Sequence, residues 1–265
     1  MIIPPPIRTR SPQRETVLDE SVHVYPDLQR QSDFRLTPRE NPQQWQNQTH
    51  YSYGPMLLSP GQWTVQSRME IDKDNLHIKG VGYWTSLAAG GQNTTGTILI
   101  SGDNVIIENI RFTRETSFPT RTRSGRSGTV TSLVTGGNYI DVTGSNVTIR
   151  NCWIDCTNGA IGVYARIADK LTIENCIVDG GSGDMFYLLD CDDAIIENNR
   201  MNQPGGYSGN VINLDSTGTG GADTRCNFAI VAGNHVGASG VIRYNNATGS
   251  HQVAANNANA TLTTY

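Results

Sequence analysis

The feature that most constrains this chain is an internal repeat. Six segments share one pattern after an anchor residue: Asn75-Leu76-His77-Ile78, Asn104-Val105-Ile106-Ile107, Asn146-Val147-Thr148-Ile149, Lys170-Leu171-Thr172-Ile173, Asp193-Ala194-Ile195-Ile196 and Phe228-Ala229-Ile230-Val231. The third residue after each anchor is Ile78, Ile107, Ile149, Ile173, Ile196 and Val231, and the eighth is Tyr83, Phe112, Ile154, Val178, Met201 and Val236. Positions that stay apolar among changing neighbours are inward columns, because successive side chains of a strand point to opposite faces. The fifth residue is Asn109, Asn151, Asn175 and Asn198 in four consecutive segments, with Gly80 before and Gly233 after. This predicts an asparagine ladder inside the fold, each amide bonded to those above and below.

The anchors lie 29, 42, 24, 23 and 35 residues apart, so a unit of two dozen residues is lengthened by insertions relegated to loops. Such a unit is one turn of a solenoid, with three short strands joined by polar bends and equivalent residues stacked at about 4.8 Å. A fold of this kind needs few large apolar residues. The chain is 37% hydrophobic with a mean hydropathy of −0.39, and its 28 glycines suit bends, which argues against a helical bundle.

The opening Leu58-Ser59-Pro60-Gly61-Gln62-Trp63-Thr64-Val65, followed by Asn75-Leu76-His77-Ile78-Lys79-Gly80-Val81-Gly82, resembles the right-handed parallel β-helix family, the pectin-lyase-like fold also seen in phage tailspikes. The resemblance covers roughly residues 57–245. It implies an all-β, single-stranded right-handed parallel β-helix of about six to seven turns, to which the sequence adds an Arg-rich insertion at 111–128 and a polar tail at 246–265.

The family's catalytic signatures are altered. Cys156-Thr157-Asn158-Gly159-Ala160-Ile161-Gly162-Val163 looks like the pectate-lyase stretch that supplies acidic calcium ligands, but Asn158 and Gly162 stand where the acids belong. Asp192-Asp193 is a bare acidic pair, no Gly-His-Gly occurs, and the five histidines are isolated from one another. Five cysteines without a CxxC pair indicate buried free thiols rather than a zinc site or disulfide framework, and neither metal nor cofactor is expected.

One carboxylate pair remains. Aligning Phe186-Tyr187-Leu188-Leu189-Asp190 with Val211-Ile212-Asn213-Leu214-Asp215 and Val241-Ile242-Arg243-Tyr244-Asn245 stacks Asp190, Asp215 and Asn245 on successive turns. Acids near 5 Å apart suit a retaining glycosidase, although bend residues give the same pattern.

Residues 1–56 hold eight of the eleven prolines and seven glutamines without apolar periodicity, so they read as an extended arm. Its scattered apolar residues, Val24, Phe34, Leu36, Trp45 and Tyr51 among them, are candidate contacts to another chain. Arg121, Arg123 and Arg126 belong to an insertion with local charge +4 that could grip an acidic partner. The net charge of −4 argues against nucleic-acid binding by bulk charge, no run approaches membrane-spanning length, and the opening residues lack a signal-peptide layout. Together these features lead to the expectation of a non-enzymatic bacteriophage protein on the virion surface, a head-decoration or short spike subunit. It would attach to other virion proteins through the arm and form a homotrimer by analogy with tailspikes. The alternative is a polysaccharide hydrolase or lyase, or a tailspike or adhesin that binds host surface glycans.

Overall fold

The computed structural model describes residues 56–65, 68–89, 96–114, 138–156, 161–180, 183–203, 209–215, 226–237, 240–244, 252–253 and 261–264. Its strands form three wholly parallel sheets of eight, seven and eight strands. Each turn of chain visits the sheets in order. The strand Thr148–Arg150 lies in the first sheet, Trp153–Cys156 in the second and Val163–Arg166 in the third, and each pairs with its equivalents one turn away. Strands this short close a solenoid because every turn buries the inward residues of its neighbours.

The first inward column forms as the repeat predicts. Ile78 pairs with Ile107, then come Ile149, Ile173, Ile196 and Val231, all at most 3% exposed. The solenoid also exceeds its six anchors. Met56–Leu57 and Gln252–Val253 add a rung at either end of the first sheet, and Thr261–Thr264 joins the third, so the helix reaches past residue 245 into the polar tail. These outer strands carry no anchor motif, which is why the repeat does not reveal them.

The second column departs from expectation at one place. Leu87, not Tyr83, pairs with Phe112, because Gly82–Trp84 forms a 3-10 turn that carries Tyr83 to the surface. Gly80 is constrained by close approach, since a Cβ there would meet the Asn109 carbonyl oxygen at 2.2 Å.

The asparagine column is corrected by one residue. Asn109, Asn151, Asn175 and Asn198 have φ of 57°, 52°, 53° and 56°. They turn the chain in the left-handed region that asparagine tolerates, with Asn109 half-buried and the other three exposed. The inward position is the next residue, occupied by Ile110, Cys152, Cys176, Asn199 and Asn234. Asn199 and Asn234 are 1% and 0% exposed. Asn199 Nδ2 donates to the Ile173 carbonyl at 2.9 Å and to Asn234 Oδ1 at 3.0 Å, while its Oδ1 accepts from the Cys176 amide at 2.9 Å. A left-handed residue reverses the chain direction and faces solvent, so the inward role passes to its successor.

A second ladder, of acids, joins the third sheet to the first. Asp74 Oδ1 accepts the Asp103 amide, Asp103 that of Ser145, Asp169 that of Asp192, and Asp192 that of Asn227, at 2.7–3.1 Å. These residues directly precede the anchors, which themselves have φ of 54° to 61°. The Asp192-Asp193 pair is thereby a bend: Asp192 ties successive turns and Asp193 supplies the left-handed conformation. All five cysteines are free and buried, as their spacing implies. Burial pushes the Cys176 thiol well above its usual pKa, which keeps it protonated and unreactive.

Candidate functional site

The outer face of the third sheet is built from one alternating position. In the triplets Ile140-Asp141-Val142, Val163-Tyr164-Ala165, Phe186-Tyr187-Leu188 and Ile212-Asn213-Leu214 the flanking residues enter the core, so the middle residue must point outward. Pairing places Asp141, Tyr164, Tyr187, Asn213 and Arg243 in one file across successive turns. From Asp141 to Asn213 the file spans three rungs, about 14 Å. A second file beside it carries Arg166, Leu189 and Asp215.

The file is tightly organised. The Tyr164 and Tyr187 rings stack at 5.5 Å with an interplanar angle of 9°. Tyr187 OH donates to Asp215 Oδ2 at 2.8 Å. Asp141 is held by Asn138 Nδ2 at 2.7 Å on Oδ1 and by the Arg68 guanidinium at 3.0 Å on Oδ2. Asp184 accepts from the Asn210 amide at 2.7 Å and from Asn213 Nδ2 at 3.0 Å. Burial pushes the Asp141 carboxyl up to about 6, although Asn138 and Arg68 both pull it down. Burial likewise raises the Tyr164 phenol to about 12, so it stays a hydrogen-bond donor throughout the physiological range.

Among the described residues, three polar atoms here are buried without a hydrogen-bond partner: Tyr164 OH, Arg166 Nε and Asn213 Oδ1. Tyr164 is 7% exposed and Asn213 0%. Each such atom costs about 1–3 kcal/mol when left unmade, and folded proteins leave few of them.

The longer connections of the chain fall mostly between the second and third sheets. Segments 90–95, 115–137, 157–160 and 204–208 each connect the second sheet to the third, and 216–225 leaves from its end at Asp215. In repeat folds, insertions collect on one face, often the binding face.

The stacked pair proposed from sequence does not form. Leu189, not Asp190, lies opposite Asp215, and Asp190 occupies a left-handed bend with φ 54° whose amide donates to the Asp215 carbonyl at 3.3 Å. The alignment fails because it matched the acids at the strand ends instead of the inward alternation. Asp141, Tyr164, Asp184 and Asn213 escaped notice for the same reason. Lining up the apolar-X-apolar triplets exposes Asp141, Tyr164 and Asn213, while Asp184 lies outside them. Arg111, at the head of the Arg-rich stretch, belongs to a second-sheet strand and pairs with Asp155 at 3.5 Å. Arg121, Arg123 and Arg126, the arm residues Val24, Phe34, Leu36, Trp45 and Tyr51, and Asn158 all lie outside the described residues. Among the described residues no group of three or more His, Cys, Asp or Glu is arranged to hold a metal ion.

The family described as "Right handed beta helix region" matches residues 74–262. The chain belongs to the right-handed β-helix family. No curated protein matches it. Among solved structures it is similar to the catalytic domain of a GH87 α-1,3-glucanase in complex with tetrasaccharides, at TM-score 0.58 and 16% identity, over 90% of this chain and 43% of that one. It is also similar to the same kind of domain in complex with nigerose, at TM-score 0.57 and 16% identity, over 89% of this chain and 40% of that one. The Agl-KA catalytic domain follows, at TM-score 0.52 and 16% identity, over 78% and 37%. At these identities the likeness is one of fold, and this chain spans less than half the length of those domains.

Proposed function

We propose that this β-helix is a glycan-recognition protein whose third-sheet outer face engages a polysaccharide. The observation that carries the reading is the set of unpartnered buried polar atoms at Tyr164, Arg166 and Asn213, aligned with a stacked tyrosine pair. A hydroxyl-rich ligand supplies both donors and acceptors to such groups. The fold likeness to α-1,3-glucanases supports the same ligand class.

Binding rather than cleavage is favoured by how the carboxylates are used. Asp141, Asp184 and Asp215 each hold neighbouring side chains in hydrogen bonds, and the stacked acid pair that a retaining glycosidase would need is not formed. The virion setting, the homotrimer and attachment through residues 1–56 remain part of this proposal. Attachment is supported by the arm's composition and the homotrimer by analogy with tailspikes, and both are tested by whether deletion of the arm abolishes particle binding and self-association.

The direct experiment is co-sedimentation and affinity electrophoresis of the full chain with a panel of polysaccharides headed by α-1,3-glucan, alongside an assay for released reducing ends. Retention by at least one polysaccharide without release of reducing ends is the expected result. Release that Asp141→Asn abolishes would turn the reading into hydrolysis, and no retention across the panel would remove it.

A further inference from the structure

A second surface departs from the repeat, on the flank of the second sheet. Seven residues separate Gly80 from Leu87, where three separate Asn109 from Phe112, and the surplus forms the 3-10 turn Gly82–Trp84. An insertion at a solenoid bend is ordinarily polar. Here Val81, Tyr83 and Trp84 are 48%, 43% and 80% exposed.

The insert is braced from beneath. The Tyr83 ring meets Trp153 edge-on at 5.5 Å and 79°. Trp153 is fixed by the Arg111 guanidinium 4.2 Å over its ring and by Nε1 donating to Asp179 at 2.6 Å. Asp179 in turn accepts from Asn202 Nδ2 at 2.7 Å. The wall of the second sheet thus holds Tyr83 in place and leaves the Trp84 indole open to solvent.

We propose that Trp84 is a stacking platform for a sugar ring, a glycan contact separate from the third-sheet face. The inference rests on the glycan reading above and adds a second point of contact. The size of the patch decides against a second copy of the chain, because its three side chains offer on the order of 300–400 Å². A stable interface needs about 800 Å² per partner. Its charge decides against phosphate-bearing partners. The described cations of this flank are already engaged, Arg111 with Asp155, Lys79 with Glu108 and Arg200 with Asn202, and the carboxylates of Asp155 and Asp179 stand among them. A sugar fits what is left: its C–H face covers the exposed indole, and its neutral hydroxyls need no countercharge.

The test uses the full chain and Trp84→Ala, with Trp84→Tyr as the conservative variant, on the same polysaccharide panel. Thermal melting serves as the fold control, and light scattering reports self-association. Retention about tenfold weaker in Trp84→Ala, restored in Trp84→Tyr with unchanged melting, is the expected result. Equal retention by wild type and Trp84→Ala overturns this inference while leaving the third-sheet reading standing. If the wild type is not retained at all, both fall. Self-association that Trp84→Ala abolishes replaces the sugar with a second copy of the chain.

Discussion

The corner between the first and second sheets and the outer face of the third sheet both bury polar groups and are differently finished. At the corner, Asn199 and Asn234 sit in the core with their described bonds reaching Ile173, Cys176, Ile196 and each other. On the third sheet, Tyr164, Arg166 and Asn213 each present a buried polar atom with no hydrogen-bond partner among the described residues. The repeat could have filled that file with threonine or isoleucine, as it does at Thr148, Thr172 and Ile195 on the first sheet. The difference separates polar groups that hold the solenoid together from polar groups held ready for something else.

The largest effect belongs to the corner. Asn199→Ala strips a partner from the Cys176 amide, the Ile173 carbonyl and Asn234 at once, and should cost about 4 kcal/mol in denaturant unfolding. A loss below about 1 kcal/mol would mean the corner is not the sealed network described.

On the third sheet, the next effect follows pH. The Asp141 carboxyl stands at about 6 in the folded chain against 3.8 for an unperturbed carboxyl. The folded state therefore binds the proton more tightly, and stability falls as pH rises between those values, by up to about 3 kcal/mol. Unfolding of wild type compared with Asp141→Asn from pH 4 to 7 measures this. The variant should lack that decline, and parallel profiles would show that burial does not govern this carboxyl.

Smaller effects belong to the bends. Asn175→Ala places a residue without a local polar side chain in the left-handed region and should cost about 1 kcal/mol, well short of Asn199→Ala. Ile167 stands at φ 53° and 60% exposed, at the rim of the third-sheet face. Ile167→Gly relieves that conformation and should raise stability by about 0.5–1 kcal/mol. A fall on the same scale in thermal melting would show that the isoleucine side chain is packed after all.

How much of this was legible in the sequence follows the same division. The column Ile78 to Val231 could be read because one position is apolar in every turn and nothing else satisfies the alternation. The corner was misplaced by one residue because asparagine suits both a buried ladder and a left-handed bend, and the repeat does not say which residue faces inward. Tyr83 was drawn into the core column because an insertion of four residues leaves an aromatic at the expected offset. The third-sheet file was the least visible. Its members, Asp, Tyr, Tyr, Asn and Arg, share no chemistry, and segments of unequal length precede each of them. Their apolar flanks, not their own chemistry, are what aligns them.

The central claim is that the third-sheet file is finished by a ligand, and Tyr164→Phe tests it most directly. The substitution removes one hydroxyl, keeps the ring stacked on Tyr187, and can be followed in stability and in polysaccharide retention on the same preparation. The account predicts stability unchanged or raised by up to about 1 kcal/mol, because no internal bond is lost, together with clearly weaker retention. A loss of stability of about 1 kcal/mol or more with retention intact would contradict it, since the hydroxyl would then be serving the fold.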